Sequence, residues 1–276
     1  MAIAAISEKY LPLKSFGEAG GNNNKGISLV RNTKTGEQLI CKKVVASKAE
    51  DELRAVRRMR GFDNIIQLRD HVPSPKPELN LWGADISIHE LYFEHCDLGS
   101  LSSFLKRHEL AEQRVPESFI WHVLLSMAKA LQVCHAGPTN TTERERWTPI
   151  AHRDVMAGNI LLSSSPPTDN NLYPRVVLSD FGSSIEYKVP DPLLHRKDIG
   201  DLAETLYAMC FCAWDVENAK LGYSEELQGV LAVSDVYWED TAEQAAKFNS
   251  GFVAWVEENM AQANMAEFEG KVILRS

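Results

Sequence analysis

The stretch IAHRDVMAGNILLSSSPPTDNNLYPRVVLSDFG, residues 150–182, carries two acids and an amide in a spacing that predicts local structure. Asp154, Asn159 and Asp180 can converge only if two apolar segments pair as short antiparallel strands. These segments are residues 159–163 and 176–179, joined by a loop at 164–175. Along the chain, the amide then stands at the start of the hairpin and an acid at its end, and antiparallel pairing brings these two ends together. Carboxylate and amide oxygens are ligands of Mg2+, so the stretch predicts a magnesium site.

The order of these residues also suggests a family. His-Arg-Asp at 152–154 is followed five residues later by asparagine, then by two strands and Asp-Phe-Gly at 180–182. This order resembles the catalytic and metal-binding loops of eukaryotic protein kinases of the serine/threonine type. The resemblance covers about residues 10–212. It implies an α+β, two-lobed protein kinase-like fold with a five-stranded antiparallel sheet and one helix in the N-lobe and a mainly α-helical C-lobe.

Length and composition are consistent with such a domain. We expect one protein kinase-like domain over residues 1–276, with an N-lobe at 1–93, a hinge at 94–100 and a C-lobe at 101–276. The 44% hydrophobic and 24% charged residues are typical of a soluble protein, and the net charge of -9 argues against nucleic acid as the main partner. We expect no membrane partner, because no apolar run is long enough to span one and no secretory signal is visible. Five scattered cysteines predict reduced thiols in the cytoplasm, with the nucleus as the alternative.

Residues 10–45 predict three strands with a glycine-rich turn between the first two. The resemblance makes this turn the loop that covers ATP, and it makes the third strand the carrier of a phosphate-binding lysine. Gly17, Gly20 and Gly21 are the expected loop glycines, and Ile27 occupies the place of a valine that packs on adenine. The glycines do not match the family spacing, so a flexible polar turn is the alternative interpretation.

Two adjacent lysines compete for the phosphate role. Lys42 and Lys43 point to opposite faces of a strand, so only one can face the nucleotide. Lys42 lies fifteen positions after Ile27, which matches the family register, although it places bulky Ile40 where alanine is usual. Lys43 would place small Cys41 there instead. We predict that Lys42 binds the phosphates and that Lys43 is a surface charge.

Residues 47–60 predict a helix, because apolar residues recur at helical spacing and Ser47 with Glu50 resembles a capping box. The resemblance makes this the regulatory helix, whose glutamate pairs with the strand lysine. We predict Glu52 for that role rather than Glu50, because Val56 then follows four residues later as the apolar contact. A solvated glutamate is the alternative. The other predicted strands are 64–72 and 85–93, and the other predicted helices are 101–108, 116–135, 198–212, 224–232 and 241–263.

The resemblance also assigns the remaining roles. Phe93 gates a back pocket, the Glu94 carbonyl and the Cys96 amide bond adenine, and Leu161 is a further nucleotide contact. The catalytic and metal roles are these: Asp154 is the base, Asn159 and Asp180 hold Mg2+, Lys42 steadied by Glu52 holds ATP, and Asp198 anchors the catalytic loop. His152 and Phe181 are interpreted as packing residues.

Two features depart from the family pattern. Met156 stands where protein kinases carry a catalytic-loop lysine, and residues 182–198 form a short segment without Ala-Pro-Glu. We therefore expect an ATP- and Mg2+-dependent phosphotransferase acting on a hydroxyl, provisionally a protein serine/threonine kinase. A small-molecule kinase with the same site is one alternative. A pseudokinase that binds nucleotide or serves as a scaffold is the other.

Overall fold

The chain divides into two units in a computed structural model that describes residues 9–17, 24–73, 78–79, 85–138, 146–164, 173–188, 192–212 and 222–236. The first unit comprises Met1–Gly61 and Ile65–Cys96, and the second comprises Phe62–Asn64 and Asp97–Ser276. The assignment of all 276 residues to one domain stays a prediction. No helix in the described parts of the chain is both long and apolar enough to cross a membrane.

The first unit is built on an antiparallel sheet. Its strands are β1 (Tyr10–Ser15), β2 (Asn24–Asn32), β3 (Gln38–Val45), β4 (Leu68–Pro73), β5 (Glu78–Leu79), β6 (Asp85–Ile86) and β7 (Ile88–Glu94). Five of them form one sheet in the order β1-β2-β3-β7-β4, and β5 pairs with β6 separately. The predicted five-stranded sheet is confirmed.

Helix α1 (Ala46–Arg58) packs against β3, β4 and β7, and it begins without the predicted capping box. The prediction of Ser47 as the cap is wrong, since Val45 occupies the cap position and no side chain caps the helix. The chain passes from strand to helix without a loop, and the amide of Ala46 donates to the carbonyl of Ser87 at 2.8 Å. A backbone carbonyl from the neighbouring strand connection therefore satisfies one of the amides that a side-chain cap would serve.

The fourth strand begins four residues later than predicted, at Leu68 instead of Asn64. The side chain of Asn64 donates to the carbonyl of Val176 at 2.9 Å, and its own carbonyl accepts from the amide of Leu178 at 2.9 Å. Residue 64 is thus hydrogen-bonded within the second unit, so it cannot join the first sheet.

The second unit is mainly helical, with short strands between its helices. The helices are α2 (Leu101–Leu110), α3 (Glu117–Ala136), α4 (Pro192–Phe211) and α5 (Glu225–Val236). The strands are β8 (Gly99–Ser100), β9 (Ile150–Ala151), β10 (Ile160–Ser163), β11 (Arg175–Leu178) and β12 (Ile185–Glu186), ordered as β11-β10-β8 and β12-β9. The apolar stripe of α3 is fully buried, as predicted: Ile120, Val123, Leu124, Met127 and Leu131.

One predicted helix begins earlier in the structure than expected, and another could not be tested. Helix α4 begins at Pro192, six residues before the predicted start at Asp198. A proline is accepted at the first helical position, where its missing amide costs no hydrogen bond. The helix predicted at 241–263 lies outside the described residues. All five cysteines are free thiols, and four of them are buried: Cys41, Cys96, Cys134 and Cys210.

Candidate active site

The first unit contains a buried ion pair between strand β3 and helix α1. The ammonium nitrogen of Lys42 lies 2.9 Å from Oε1 and 3.0 Å from Oε2 of Glu52. The two side chains are 8% and 1% exposed. Glu52 lies on the buried face of α1, beside Leu53 and Val56, which is why it reaches the strand and Glu50 does not. The structure therefore brings together the lysine predicted to bind the phosphates and the glutamate predicted to pair with it.

The neighbouring lysine points to the other face of the sheet. Lys43 is paired in the β3–β7 ladder with Glu90, and its ammonium lies 3.2 Å from that carboxylate. The Lys43 side chain is 44% exposed, which is the solvated position predicted for the lysine without the phosphate role. The two-residue period of the strand decides which lysine is buried.

The residues expected to contact the nucleotide in the first unit lie on strands of the sheet. Ile27 is opposite Lys42 in the β2–β3 ladder, and its amide donates to the carbonyl of Gly17 at 3.0 Å. Gly17 has a φ of 72°, a conformation that favours glycine. This hydrogen bond between residues 17 and 27 therefore joins the two ends of the predicted glycine-rich turn. Gly20 and Gly21 lie outside the described residues.

The predicted hinge residues lie at the end of strand β7 and just beyond it. Phe93 is buried and pairs with Ile40 on one side and Leu68 on the other. The Glu94 amide donates to the Gln67 carbonyl at 3.0 Å, and the carboxylate of Glu94 accepts from the Gln67 amide at 3.0 Å. The backbone amide and the side chain of Glu94 are thus both bonded to the backbone of Gln67. Cys96 is also buried, and the adenine contacts of Glu94 and Cys96 stay predictions.

In the second unit, Asp154 and Asn159 are in direct contact. The side-chain nitrogen Nδ2 of Asn159 donates to the backbone carbonyl oxygen of Asp154 at 2.9 Å and to its carboxylate oxygen Oδ2 at 2.8 Å. A turn fixes the spacing between Asp154 and Asn159, because the backbone amide of Asn159 donates to the Met156 carbonyl at 2.8 Å. Both hydrogens of the Asn159 side chain are thus used, so its oxygen Oδ1 can only accept or ligate.

The hairpin brings Asp180 to the same end as Asn159. Strands β10 and β11 form the predicted antiparallel pair, in which Ile160 is opposite Leu178. Beyond that pair, the carbonyl of Asn159 accepts both the amide and the hydroxyl of Ser179 at 2.8 Å each. Asp180 is the next residue along the chain, so these two hydrogen bonds fix the backbone immediately before it. Leu161 is half-buried in β10, paired with Val177 on β11.

The sharp turn after Asp180 is made by the aspartate itself. Asp180 has φ 60° and ψ 68°, which is left-handed, and its carboxylate accepts from the Gly182 amide at 3.3 Å. Gly182 lies in the short 3-10 helix Phe181–Ser183. The left-handed residue of this turn is therefore Asp180 and not Gly182. Aspartate tolerates the left-handed conformation because its short side chain can bond the local backbone.

The oxygen donors at this end of the hairpin fit a hard cation. Asn159 presents Oδ1, to which no donor is bonded among the described residues, and Asp180 adds a carboxylate. The described residues hold no group of three or more His, Cys, Asp or Glu side chains that could enclose a metal. Mg2+ commonly takes one or two protein ligands and completes its coordination with water and phosphate oxygens. The donor set therefore suits Mg2+ and not a tightly enclosed metal.

A buried aspartate anchors the loop that contains Asp154. Asp198 is fully buried on helix α4, and its carboxylate accepts from the amide of His152 at 2.9 Å and from that of Arg153 at 2.6 Å. This arrangement is the one expected from the resemblance. A third donor was missed: the Nε2 atom of His135, on helix α3, lies 2.8 Å from the same carboxylate. The only sequence signal for it was a histidine at the end of an apolar helix.

His152 is a neutral packing residue. Its Nε2 bonds the Ser179 carbonyl at 3.0 Å, so that nitrogen carries the hydrogen, and its Nδ1 accepts from the Asp154 amide at 3.3 Å. Burial lowers the pKa of His152, in spite of the opposing charge of Asp198. Its ring packs edge-on against Phe181, which is fully buried. The Met156 side chain is 52% exposed.

Comparison with known proteins agrees with this geometry. Residues 20–199 match the family model for the protein kinase domain. The chain belongs to the protein kinase domain family. In this kinase domain, the match covers both the strand that carries Lys42 and the loops that carry Asp154, Asn159 and Asp180.

Individual relatives are protein kinases by name, and two of the three named below are serine/threonine kinases. The kinase domain is 34% identical over 94 residues to the probable serine/threonine-protein kinase roco8 of Dictyostelium discoideum. It is 31% identical over 110 residues to the G2-specific protein kinase nimA of Emericella nidulans, and 23% identical over 175 residues to the probable serine/threonine-protein kinase nek2 of Dictyostelium discoideum. The matches cover 34%, 34% and 60% of this chain, but only 4%, 15% and 36% of those proteins.

Proposed function

We propose that this protein is an ATP- and Mg2+-dependent phosphotransferase that transfers the γ-phosphate to a hydroxyl, provisionally that of a serine or threonine in a protein. The observation that carries the proposal is the buried pair of Lys42 and Glu52. Burying two charges costs about as much desolvation energy as their attraction returns, so such a pair contributes little net stability. A role in binding polyphosphate accounts for a lysine held at this position.

The second unit supports the same chemistry. Asp154 is half-buried, and Asn159 bonds its Oδ2, which leaves Oδ1 of the carboxylate to accept the proton of an attacking hydroxyl. Asn159 Oδ1 and the Asp180 carboxylate would hold Mg2+, which supplies charge neutralisation on the phosphates when bound. Asp198 keeps the loop rigid, so that these groups are positioned before the substrate arrives.

Two observations support other functions. Only residues 184–191 separate the 3-10 helix from α4, which leaves little chain to bind an extended peptide and favours a small-molecule acceptor. Met156 provides no positive charge in the catalytic loop, which favours a protein that binds nucleotide without transferring phosphate.

Thermal unfolding with Mg-ATP tests nucleotide binding. At ligand concentrations near 100 times Kd, binding adds about 2.7 kcal/mol, which corresponds to roughly 5–10 °C in Tm for a protein of this size. We expect that shift in the wild type and in Lys43→Met, and its loss in Lys42→Met. An equal shift in all three proteins would show that Lys42 does not bind the nucleotide.

Labelled ATP tests phosphate transfer. The protein is incubated with a serine/threonine peptide library and, separately, with a pool of metabolites. We expect label on peptides, and a decrease on the order of a hundredfold or more in the Asp154→Asn variant. Label on metabolites alone would support the small-molecule kinase. Nucleotide binding with no label in either pool would support the non-enzymatic alternative.

A further inference from the structure

A chain of three side chains connects helix α1 to the sheet beside the Lys42–Glu52 pair. The guanidinium nitrogen NH2 of Arg57 lies 3.2 Å from Nδ1 of His71, and Nε2 of His71 lies 2.9 Å from Nδ1 of His89. The two imidazole rings are 4.8 Å apart between centroids and tilted by 42°. Arg57 belongs to α1, His71 to β4 and His89 to β7, so the chain joins the helix to two strands.

The ladder registers place this chain on the same face of the sheet as Lys42. Leu91 on β7 is opposite Lys42 on one side and opposite His71 on the other. Residues that are directly opposite in an antiparallel ladder share a face, and so do residues two apart on one strand. His89 therefore also lies on this face. Besides the buried apolar residues of α1, the side chains of Glu52 and Arg57 thus both bond to residues on this face of the sheet.

The bonds determine the protonation state of both rings. An arginine can only donate, so Nδ1 of His71 must be an acceptor and its hydrogen must be on Nε2. That Nε2 hydrogen is donated to His89, so Nδ1 of His89 is also an acceptor. Both imidazoles are consequently neutral in this arrangement. A second proton on His71 would have to bind at Nδ1, where it would face the Arg57 guanidinium. A proton on Nδ1 of His89 would face the Nε2 hydrogen of His71.

Burial and the neighbouring charged groups shift the pKa of His71 in opposite directions. Burial lowers the pKa of His71, and His89 and Arg57 lower it further. Glu50 on α1 and Asp70 on β4 oppose this change, but they do not reverse it. A histidine released to solvent has a pKa near 6.5, so the released state takes up a proton first as the pH falls.

We propose that Arg57, His71 and His89 form a pH-sensitive latch that helps to hold the C-terminal end of α1 on the sheet at neutral pH and weakens on acidification. Because Glu52 lies on the same helix, release loosens its pairing with Lys42; the effect of this on phosphate transfer rests on the proposed function. The latch itself does not, since it involves only contacts within the first unit. The sign follows from the lowered pKa: the stabilisation is complete above pH 6.5 and decreases as the pH falls below it.

Hydrogen exchange of the α1 amides tests the latch without nucleotide. For one proton taken up on release, the opening constant rises roughly tenfold between pH 7.5 and 5.5. We expect exchange of the last α1 amides, corrected for intrinsic chemistry, to rise by that factor in the wild type. The double variant His71→Gln, His89→Gln should lose the rise, and His108→Gln in the second unit should retain it. No rise in the wild type, or an equal rise in the double variant, would refute the latch.

A second measurement does not depend on the variants. Nitrogen-15 chemical shifts of imidazoles distinguish a nitrogen with a hydrogen from one without. At pH 7.5 we expect the hydrogen on Nε2 of both His71 and His89. A hydrogen on Nδ1 of His71 would overturn the proposal. Loss of nucleotide binding in Lys42→Met would be unaffected by either result, so the latch and the proposed function can fail separately.

Discussion

Replacing Asp198 by asparagine tests the anchor of the catalytic loop. The carboxylate receives three donors: the His152 amide and His135 Nε2 at Oδ2, and the Arg153 amide at Oδ1. An asparagine of the same shape has only one oxygen. If that oxygen takes the position of Oδ2, the bonds from His135 and from the His152 amide survive, but with an uncharged acceptor. The new NH2 group then faces the Arg153 amide, so that two donors oppose each other.

The cost follows from the number of bonds affected. Losing one hydrogen bond to a charged acceptor costs about 1.5–3 kcal/mol, and an unsatisfied buried amide adds to that. We expect Asp198→Asn to lower the free energy of unfolding by about 2–4 kcal/mol, and Asp198→Ala by about 3–5 kcal/mol or more, since all three donors lose their acceptor. Both values are large fractions of the stability of a typical domain.

Urea unfolding at pH 7 measures these differences, with Glu204→Gln as the control. Glu204 lies on the same helix, and its side chain is exposed. A surface substitution of this kind usually changes the free energy of unfolding by less than about 0.5 kcal/mol, so the control should remain close to the wild type. A loss below about 0.5 kcal/mol for Asp198→Asn would show that the carboxylate does not carry the three bonds.

The pH dependence of the free energy of unfolding gives a second test of the Asp198 anchor. Burial raises the pKa of Asp198, but the bond and charge of His135, with His152 and the Arg153 amide, outweigh it and leave the pKa below its ordinary value. The ionised carboxylate therefore stabilises the fold above about pH 4, and this contribution decreases as the pH falls from there. Below pH 4 the wild type should lose stability more steeply than Asp198→Ala. Equal slopes would contradict the lowered pKa.

Two further substitutions test the site and the fold. Met156→Lys should raise phosphate transfer by on the order of tenfold to a thousandfold with little change in Tm, because it adds a cation at a half-exposed position; an unchanged kcat would show that another group already supplies the charge. Gly137→Ala should destabilise by about 1–3 kcal/mol more than Gly36→Ala in urea unfolding. Both glycines have φ near 77°, at 78° and 76°, but only at Gly137 would a new methyl group meet the Trp147 ring, at 2.5 Å, and equal losses would argue against that contact.

The candidate site could be predicted well where a local period decided it. Lys42 and Lys43 differ by one position in a strand, and a period of two sends one inward and the other to solvent. The hairpin of β10 and β11 followed from two short apolar segments flanked by polar residues. Helix α3 followed from its apolar stripe, whose members are all buried.

Prediction failed where distant residues decide the local conformation. The start of α1 depends on the carbonyl of Ser87, and the start of β4 depends on bonds from Asn64 to Val176 and Leu178. These partners are from 41 to 114 positions away in the chain. No local pattern encodes such a contact. Asp180 takes the left-handed conformation, two residues before a glycine, for the same kind of reason, since the bonds between Asn159 and Ser179 fix the chain just before it.

The sequence by itself determined the family, the five-stranded sheet and the identity of the chemical groups, because spacing and alternation are properties of neighbours along the chain. Only the tertiary structure decided which groups are connected. It brought His135 to Asp198 and joined Arg57, His71 and His89 into one hydrogen-bonded chain. A side chain's protonation state depends on what it bonds and how deeply it is buried, and both are set by packing between elements distant in the sequence.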